Sequence, residues 1–371
     1  MNSKKAVSRV HRFIPPSWQL PLLLAIFVLV MRLISASNSE TEWRYANGMY
    51  PHISRVLRWC TGWLPISFGD IIYSLFGIYI LYKTAMFIKK LFRKQVTRTY
   101  LLLGFRKMLV FFLSVYLLFN ALWGLNYRRQ GIAWQLELDV QRYSTADLDT
   151  VLGIVSQRLH ALADSQNGRQ ALYQRPFLFA EGANLYRKNT APYPFMVLEY
   201  PSVKRSIFGR IGNYLGFQGY YNPFSGEAQV NTTVPVFMQP NIVCHEMAHQ
   251  AGYAKENEAN FVGYLAGKRS ANPCFRYSAY FDLVLYGLLD MQLRDSARAR
   301  TIAQALPKQV KTDIREWEQF RKKHKNPLEQ VVMWFYGQYL KANDMPSGIA
   351  TYNEVIAWLI AYYKKMGAEA V

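Results

Sequence analysis

The sequence predicts a mainly α protein with three N-terminal transmembrane helices, followed by an α+β outer domain with a small β-hairpin. Three observations carry this. Three apolar runs fall within residues 1–127. Helical spacing of apolar residues recurs through residues 128–371. One stretch between them is instead rich in aromatic and β-branched residues around a turn. At 371 residues, 51% hydrophobic and 15% aromatic, the chain has material for a buried core as well as membrane segments.

The apolar runs cover about 18–36, 66–88 and 108–127. A bilayer core takes about 20 apolar residues in a helix, which the second and third runs meet. The first is apolar from Trp18 to Leu33 and is interrupted by Arg32. It reads as an uncleaved helix with Arg32 reaching the outer interface. A signal peptide cleaved near Ala36 is the alternative. Lys4, Lys5, Arg9 and Arg12 precede the first run, and seven basic residues from Lys89 to Lys107 separate the second from the third. The loop between the first two holds only Arg44, Arg55 and Arg58 against Glu40 and Glu42. Positive-inside then puts the N-terminus in the cytoplasm and everything after Tyr127 outside, with Arg128 and Arg129 against the trend. A multi-pass protein of the cell membrane, in contact with lipid, is expected.

The formal charge of +20 invites a nucleic-acid reading, but its distribution opposes one. Residues 1–127 hold 16 Lys and Arg against three acids, net +13; the other 244 hold 28 against 21, net +7. The excess flanks apolar segments, and no phosphate loop, RNA-binding signature or zinc finger accompanies it. No nucleic-acid partner is expected.

In the outer domain, Ser144 or Thr145 caps a helix running to His160. Tyr186 to Arg205 is irregular and reads as loops, and Gly216 to Val236 as a hairpin turning at Asn222–Gly226. Pro240-Asn241 opens a short helix that Gly252 stops, and another begins near Lys255. Tyr277 to Ala299 reads as one long amphipathic helix, and Gln309 to Lys325 as a charged one ending in Arg321-Lys322-Lys323-His324-Lys325. Val331 to Lys341 and Tyr352 to Lys365 complete a helical C-terminus without a linker or repeat. Cys60, Cys244 and Cys274 have no metal-type spacing, and a Cys244–Cys274 disulfide is possible outside the cytoplasm.

The chemistry sits at His245-Glu246-Met247-Ala248-His249. Positions i and i+4 share a helix face, so both imidazoles can hold one metal ion while Glu246, beside them, takes a proton from an attacking water. Catalytic zinc wants three protein ligands, and Glu256 or Glu258 on the next helix can supply the third. Here the sequence resembles the glutamate-liganded zincin metallopeptidases, several of which carry Glu-x-x-Ala-Asp or Glu-x-x-Ala-Asn after HExxH. The resemblance implies Glu256 as third ligand, Asn260 as its support and the hairpin as an edge strand for an extended peptide. The six-residue gap from His249 to Glu256 is shorter than in many zincins and needs the Gly252 turn.

Taken whole, the chain resembles the bacterial membrane family called domain of unknown function 3810, through Tyr221 to Asn231 and His245 to Leu265. That implies a zincin-like domain and no substrate. The expected function is a membrane-anchored zinc-dependent hydrolase using Zn2+ held by His245, His249 and Glu256, with Glu246 as general base and a peptide or protein substrate. A cell-wall peptide amidase with the same site, or a scaffold or sensor with a structural metal, are the alternatives. Tyr220, Tyr221, Tyr253 and His160 are candidates to steady the oxyanion.

Overall fold

The computed structural model describes residues 15–164, 166–187, 191–343 and 354–371. The basic residues Lys4, Lys5, Arg9 and Arg12 and the expected helix start at Tyr352 lie outside them. The architecture is mainly helical with one three-stranded sheet.

Among the described residues, three helices are long and apolar enough to cross a membrane: α1 (Pro16–Ile34), then, after α2 (Tyr50–Thr61), α3 (Phe68–Phe92) and α4 (Arg98–Leu122). Their apolar surfaces are consistent with membrane anchoring. Side-chain caps at Ser67 and Thr97, accepting from Asp70 N (3.0 Å) and Tyr100 N (3.1 Å), fix the starts of α3 and α4. The third run therefore starts before residue 108. It also ends earlier than Tyr127, because Trp123 leaves helical geometry (φ −161°) and swings its indole N–H onto the carbonyl of His249 at 3.1 Å.

The stretch between α1 and α3, expected as a loop, is helical. Thr41–Met49 winds as a π-helix and leads into α2. Both dock on residues beyond 128. Arg129 donates to Glu42 at 2.8 Å, Arg58 to the carbonyl of Glu199 at 3.0 Å, and Thr61 to that of Ser225 at 2.8 Å. The sequence boundary between residues 127 and 128 thus divides pieces that are packed together.

After α5 (Thr145–Ala163), closed by a Ser144–Asp147 capping box, and α6 (Arg175–Leu185) comes the sheet. Strand β1 (Val203–Arg205) corrects the all-loop reading of Tyr186 to Arg205; three residues are too few to display alternation. A short α7 (Gly209–Leu215) leads to β2 (Gly219–Asn222) and β3 (Glu227–Val230), the expected hairpin, with Gly219 opposite Val230 and Asn222 opposite Glu227. The order is β1-β3-β2, so β2 is an edge. Asn222 builds the turn by accepting from Phe224 N (2.9 Å) and Ser225 N (3.1 Å). Glu227 also reaches the start of α3, accepting from Phe68 N at 3.2 Å and Gly69 N at 2.7 Å, where open N–H groups favour a carboxylate.

Helix α8 (Gln239–Gln250) packs on both the sheet and α10 (Pro273–Arg294), and α9 (Glu256–Gly267) packs on α8 and α10. The expected single helix from Tyr277 to Ala299 is two. At Asp295 the backbone turns extended, and its carboxylate accepts from Ala297 N (3.1 Å) and Arg298 N (2.9 Å) to start α11 (Ser296–Ala305). Then follow α12 (Lys308–His324), α13 (Pro327–Ala342) and α14 (Glu354–Met366). The main core gathers Leu148, Leu152 and Leu159 of α5 with Phe261, Phe275 and Phe281. Cys244 and Cys274 are buried free thiols, so the possible disulfide is not made. Cys244 packs by Gly267 and Cys274 by Gly168.

Candidate metal centre

Helix α8 brings His245 and His249 onto one face, their rings 4.7 Å apart. Gly252, at φ +93°, makes the reversal after it, a conformation that an L side chain resists. Two further contacts set the return. Arg129 donates to the carbonyl of Gly252 at 3.2 Å. Gly263 lets α9 lie against α8 so closely that a Cβ there would stand 3.0 Å from His245 N. Glu256, in the first turn of α9, then meets the histidines: its Oε2 is 3.2 Å from His245 Nε2 and 3.7 Å from His249 Nε2. Ligands about 2.1 Å from a tetrahedral ion stand about 3.4 Å from one another. The short gap is therefore enough.

Glu258 points the other way. Its Oε1 would lie 1.9 Å from a Cβ at Gly131, and Lys255 Nζ is 3.6 Å from it. Geometry brings Glu256, and not Glu258, to the two imidazoles. Glu246 also belongs to the cluster, since His245, Glu246 and His249 each offer a ligand atom within 4.8 Å of the others. Its Oε1 would stand 2.5 Å from a Cβ at Gly219, while its Oε2 is buried without a partner. The Glu256 carboxylate reaches both Nε2 atoms, and Glu246 lies beside the two histidines.

Burial raises the Glu246 carboxyl to about 7 against the pull of both histidines. Burial also opposes the charge of Glu256, but hydrogen bonds and charge from His245 and His249 hold its carboxyl well below the usual range. Burial lowers His245, yet the neighbouring Glu256 and Glu246 push it up to about 9. The buried carboxylates favour positive charge between them, the kind of charge that a divalent cation would bring.

The surroundings hold these groups in place. His249 Nδ1 donates to the carbonyl of Tyr253 at 2.6 Å, which leaves Nε2 toward Glu256. Tyr336, from α13, donates to Glu256 Oε1. Asp282 of α10 also lies on the cleft; burial raises its carboxyl to about 6, against the charge of His245 and a hydrogen bond with Asn241. Sequence reasoning missed Trp123, Asp282 and Tyr336. Only Trp123 had a signal, as an aromatic at the end of a membrane run.

The cleft has a volume of about 420 Å³, with β2 on one side and α13 on another. Of the four oxyanion candidates, Tyr220 and Tyr221 line it. The Tyr220 hydroxyl donates to Asp70, and that of Tyr221 sits 3.4 Å from Tyr50. Tyr253 turns its hydroxyl to Gln135 at 2.6 Å, and His160 is exposed on α5, outside the cleft lining. Asn260 is in the cleft, with a buried Nδ2 lacking a partner.

Fold and site define a mainly helical protein with three membrane-length helices and a buried cluster of two histidines and two glutamates. The chain belongs to the family described as protein of unknown function (DUF3810), whose model matches residues 45–360. Comparison with curated proteins and with solved structures gives no match.

Proposed function

We propose that the protein is a membrane-anchored, zinc-dependent hydrolase that cleaves peptide bonds at the outer face of the membrane. The observation carrying this is the Glu256 carboxylate within 3.2 and 3.7 Å of two imidazole nitrogens, with the buried Glu246 beside them. Two imidazoles and a carboxylate suit zinc, and the pair of helices after an edge hairpin resembles the zincin arrangement. When bound, zinc supplies a Lewis acid that brings the pKa of a water to about 7. Glu246 takes a proton from the attacking water and returns it to the leaving amine. Three buried polar atoms of the cleft residues lack a partner, Glu246 Oε2, Asn260 Nδ2 and His245 Nδ1, and the first two fit a site completed by water and substrate. The edge strand β2 lies along the cleft, where an extended peptide can pair with it. The distribution of Lys and Arg supports an outward-facing site with the N-terminus in the cytoplasm.

Metal analysis of the full chain tests the assignment. Wild type and Glu258→Ala are expected to carry about one zinc per chain, and Glu256→Ala to lose it. A folded wild type without metal, or a Glu256→Ala variant that keeps it, would sink the three-donor site. Gly219→Ala is expected to keep the ion but reduce turnover at least about tenfold. A methyl there meets both Glu246 Oε1 at 2.5 Å and the Gln229 carbonyl at 2.9 Å, displacing the base.

A further inference from the structure

We propose that the cleft takes its substrate from the lipid side, with α13 as an amphipathic gate in the outer membrane interface. The substrate class is then a polypeptide anchored in the same bilayer. This rests on the hydrolase reading above.

The first ground is the composition of the cleft wall. Tyr73 of α3 and Phe119 of α4 line it together with His245, His249 and Glu256. The candidate metal centre thus stands directly on the ends of two membrane-length helices.

The second is the course of α13. At its start, Asn326 donates to the carbonyl of Tyr214 on α7 at 2.7 Å. In its middle, Tyr336 donates to Glu256, and Tyr339 packs on Tyr127 and Phe119 with ring centres 6.0 and 6.2 Å away. At its end, Arg32 of α1 donates to the carbonyl of Ala342 at 3.3 Å. The helix therefore runs across the ends of the membrane helices, with its inner face on the cleft.

The third is what α13 shows to the outside. Leu328, Val331, Trp334 and Phe335 form one exposed apolar face, with Trp334 59% and Phe335 63% exposed. Ile207 is likewise exposed at the head of α3, where its N–H donates to Asp70 at 2.7 Å. Immediately before α13 stands the basic run from Arg321 to Lys325. An apolar face on a helix tied to α1 and preceded by basic residues fits a surface of anionic lipid. On this proposal a peptide reaches β2 past this face from the bilayer.

The test uses the full chain in nanodiscs of zwitterionic and anionic phospholipid. A spin label is placed at Phe335→Cys in a Cys60→Ser background, with Arg300→Cys as the control in water. Residue 335 is expected to be at least about tenfold better protected from a water-soluble nickel chelate than residue 300, and open to oxygen. Equal access of the chelate to both overturns the gate. Newly formed protein N-termini in native membranes carrying wild type or Glu246→Gln then test the substrate class. Cleavages confined to wild type are expected to fall near membrane anchors. Cleavages spread over soluble proteins overturn the lipid-side route and leave the hydrolase reading standing. No difference between the two membranes, with residue 335 immersed, overturns the hydrolase reading and the substrate class with it.

Discussion

Glu246→Gln is expected to keep its zinc and lose about 10²- to 10⁴-fold in turnover, the range associated with removal of a general base. The carboxamide is nearly the same size, so it fits against Gly219, where a Cβ would already stand 2.5 Å from the Glu246 oxygen. It cannot accept and carry a proton as the carboxylate does. Glu246 is beside the donor set, with Glu256 reaching both imidazoles, so metal content should stay unchanged. Turnover on a cleaved peptide, measured beside zinc content, checks both halves. Unchanged turnover would favour a scaffold with a structural metal. Lost zinc would make Glu246 a ligand.

Glu42→Ala is expected to destabilise the domain that follows α4 by about 3–5 kcal/mol, the range for breaking one side of a buried ion pair. The Glu42 carboxylate is buried and accepts from Arg129 Nε (3.2 Å) and Nη2 (2.8 Å), Gln130 N (3.0 Å) and Gln135 Nε2 (2.9 Å). Truncation leaves the guanidinium buried against Tyr253, 4.6 Å from its ring centre, without its counter-charge. Arg129 also holds the carbonyl of Gly252, so the turn between α8 and α9 loosens as well. The half-unfolding temperature of the full chain in detergent reads the effect. Glu42→Met with Arg129→Met should recover much of the loss, because no charge is then stranded. A drop of under about 1 kcal/mol for Glu42→Ala would contradict a buried ion pair. Burial works to raise the Glu42 carboxyl, but the charge and hydrogen bonds of Arg129 outweigh it and leave it below its ordinary value. The unfolded chain therefore takes the proton first. This part of the stability is present above the ordinary glutamate range and is lost as pH falls through the depressed folded value.

Local signals made most elements readable. Ser144 with Asp147, Pro240 and Gly252 carry the chemistry of helix ends in their own sequence, and Asn222 to Gly226 carry that of a turn. The pair His245 and His249 needed only the helical repeat. What escaped was either a cap hidden inside a continuous pattern or a contact with distant partners. Asp295 breaks α10 from α11 without proline or glycine, by offering its carboxylate to two N–H groups inside an otherwise continuous amphipathic pattern. That Glu256 and not Glu258 faces the imidazoles depends on Gly263 and Gly131, whose missing side chains open space for one approach and one retreat. Tyr336 reaches Glu256 from 80 residues away, and no spacing rule covers that distance. The stretch between α1 and α3 looked like a loop because its burial is against residues beyond 128.

The bond from Gly69 N to Glu227 has a bearing on how the chain is made. The two residues are 158 positions apart, so the start of α3 is synthesised long before the carboxylate that closes it. At translation rates of about 5–20 residues per second, that interval is roughly 8–30 s. Through it, the newly inserted helix meets water and headgroups at an end that the finished molecule covers. Formation of α3 and folding of the residues after α4 are thus successive steps of one biogenesis, the second completing the first.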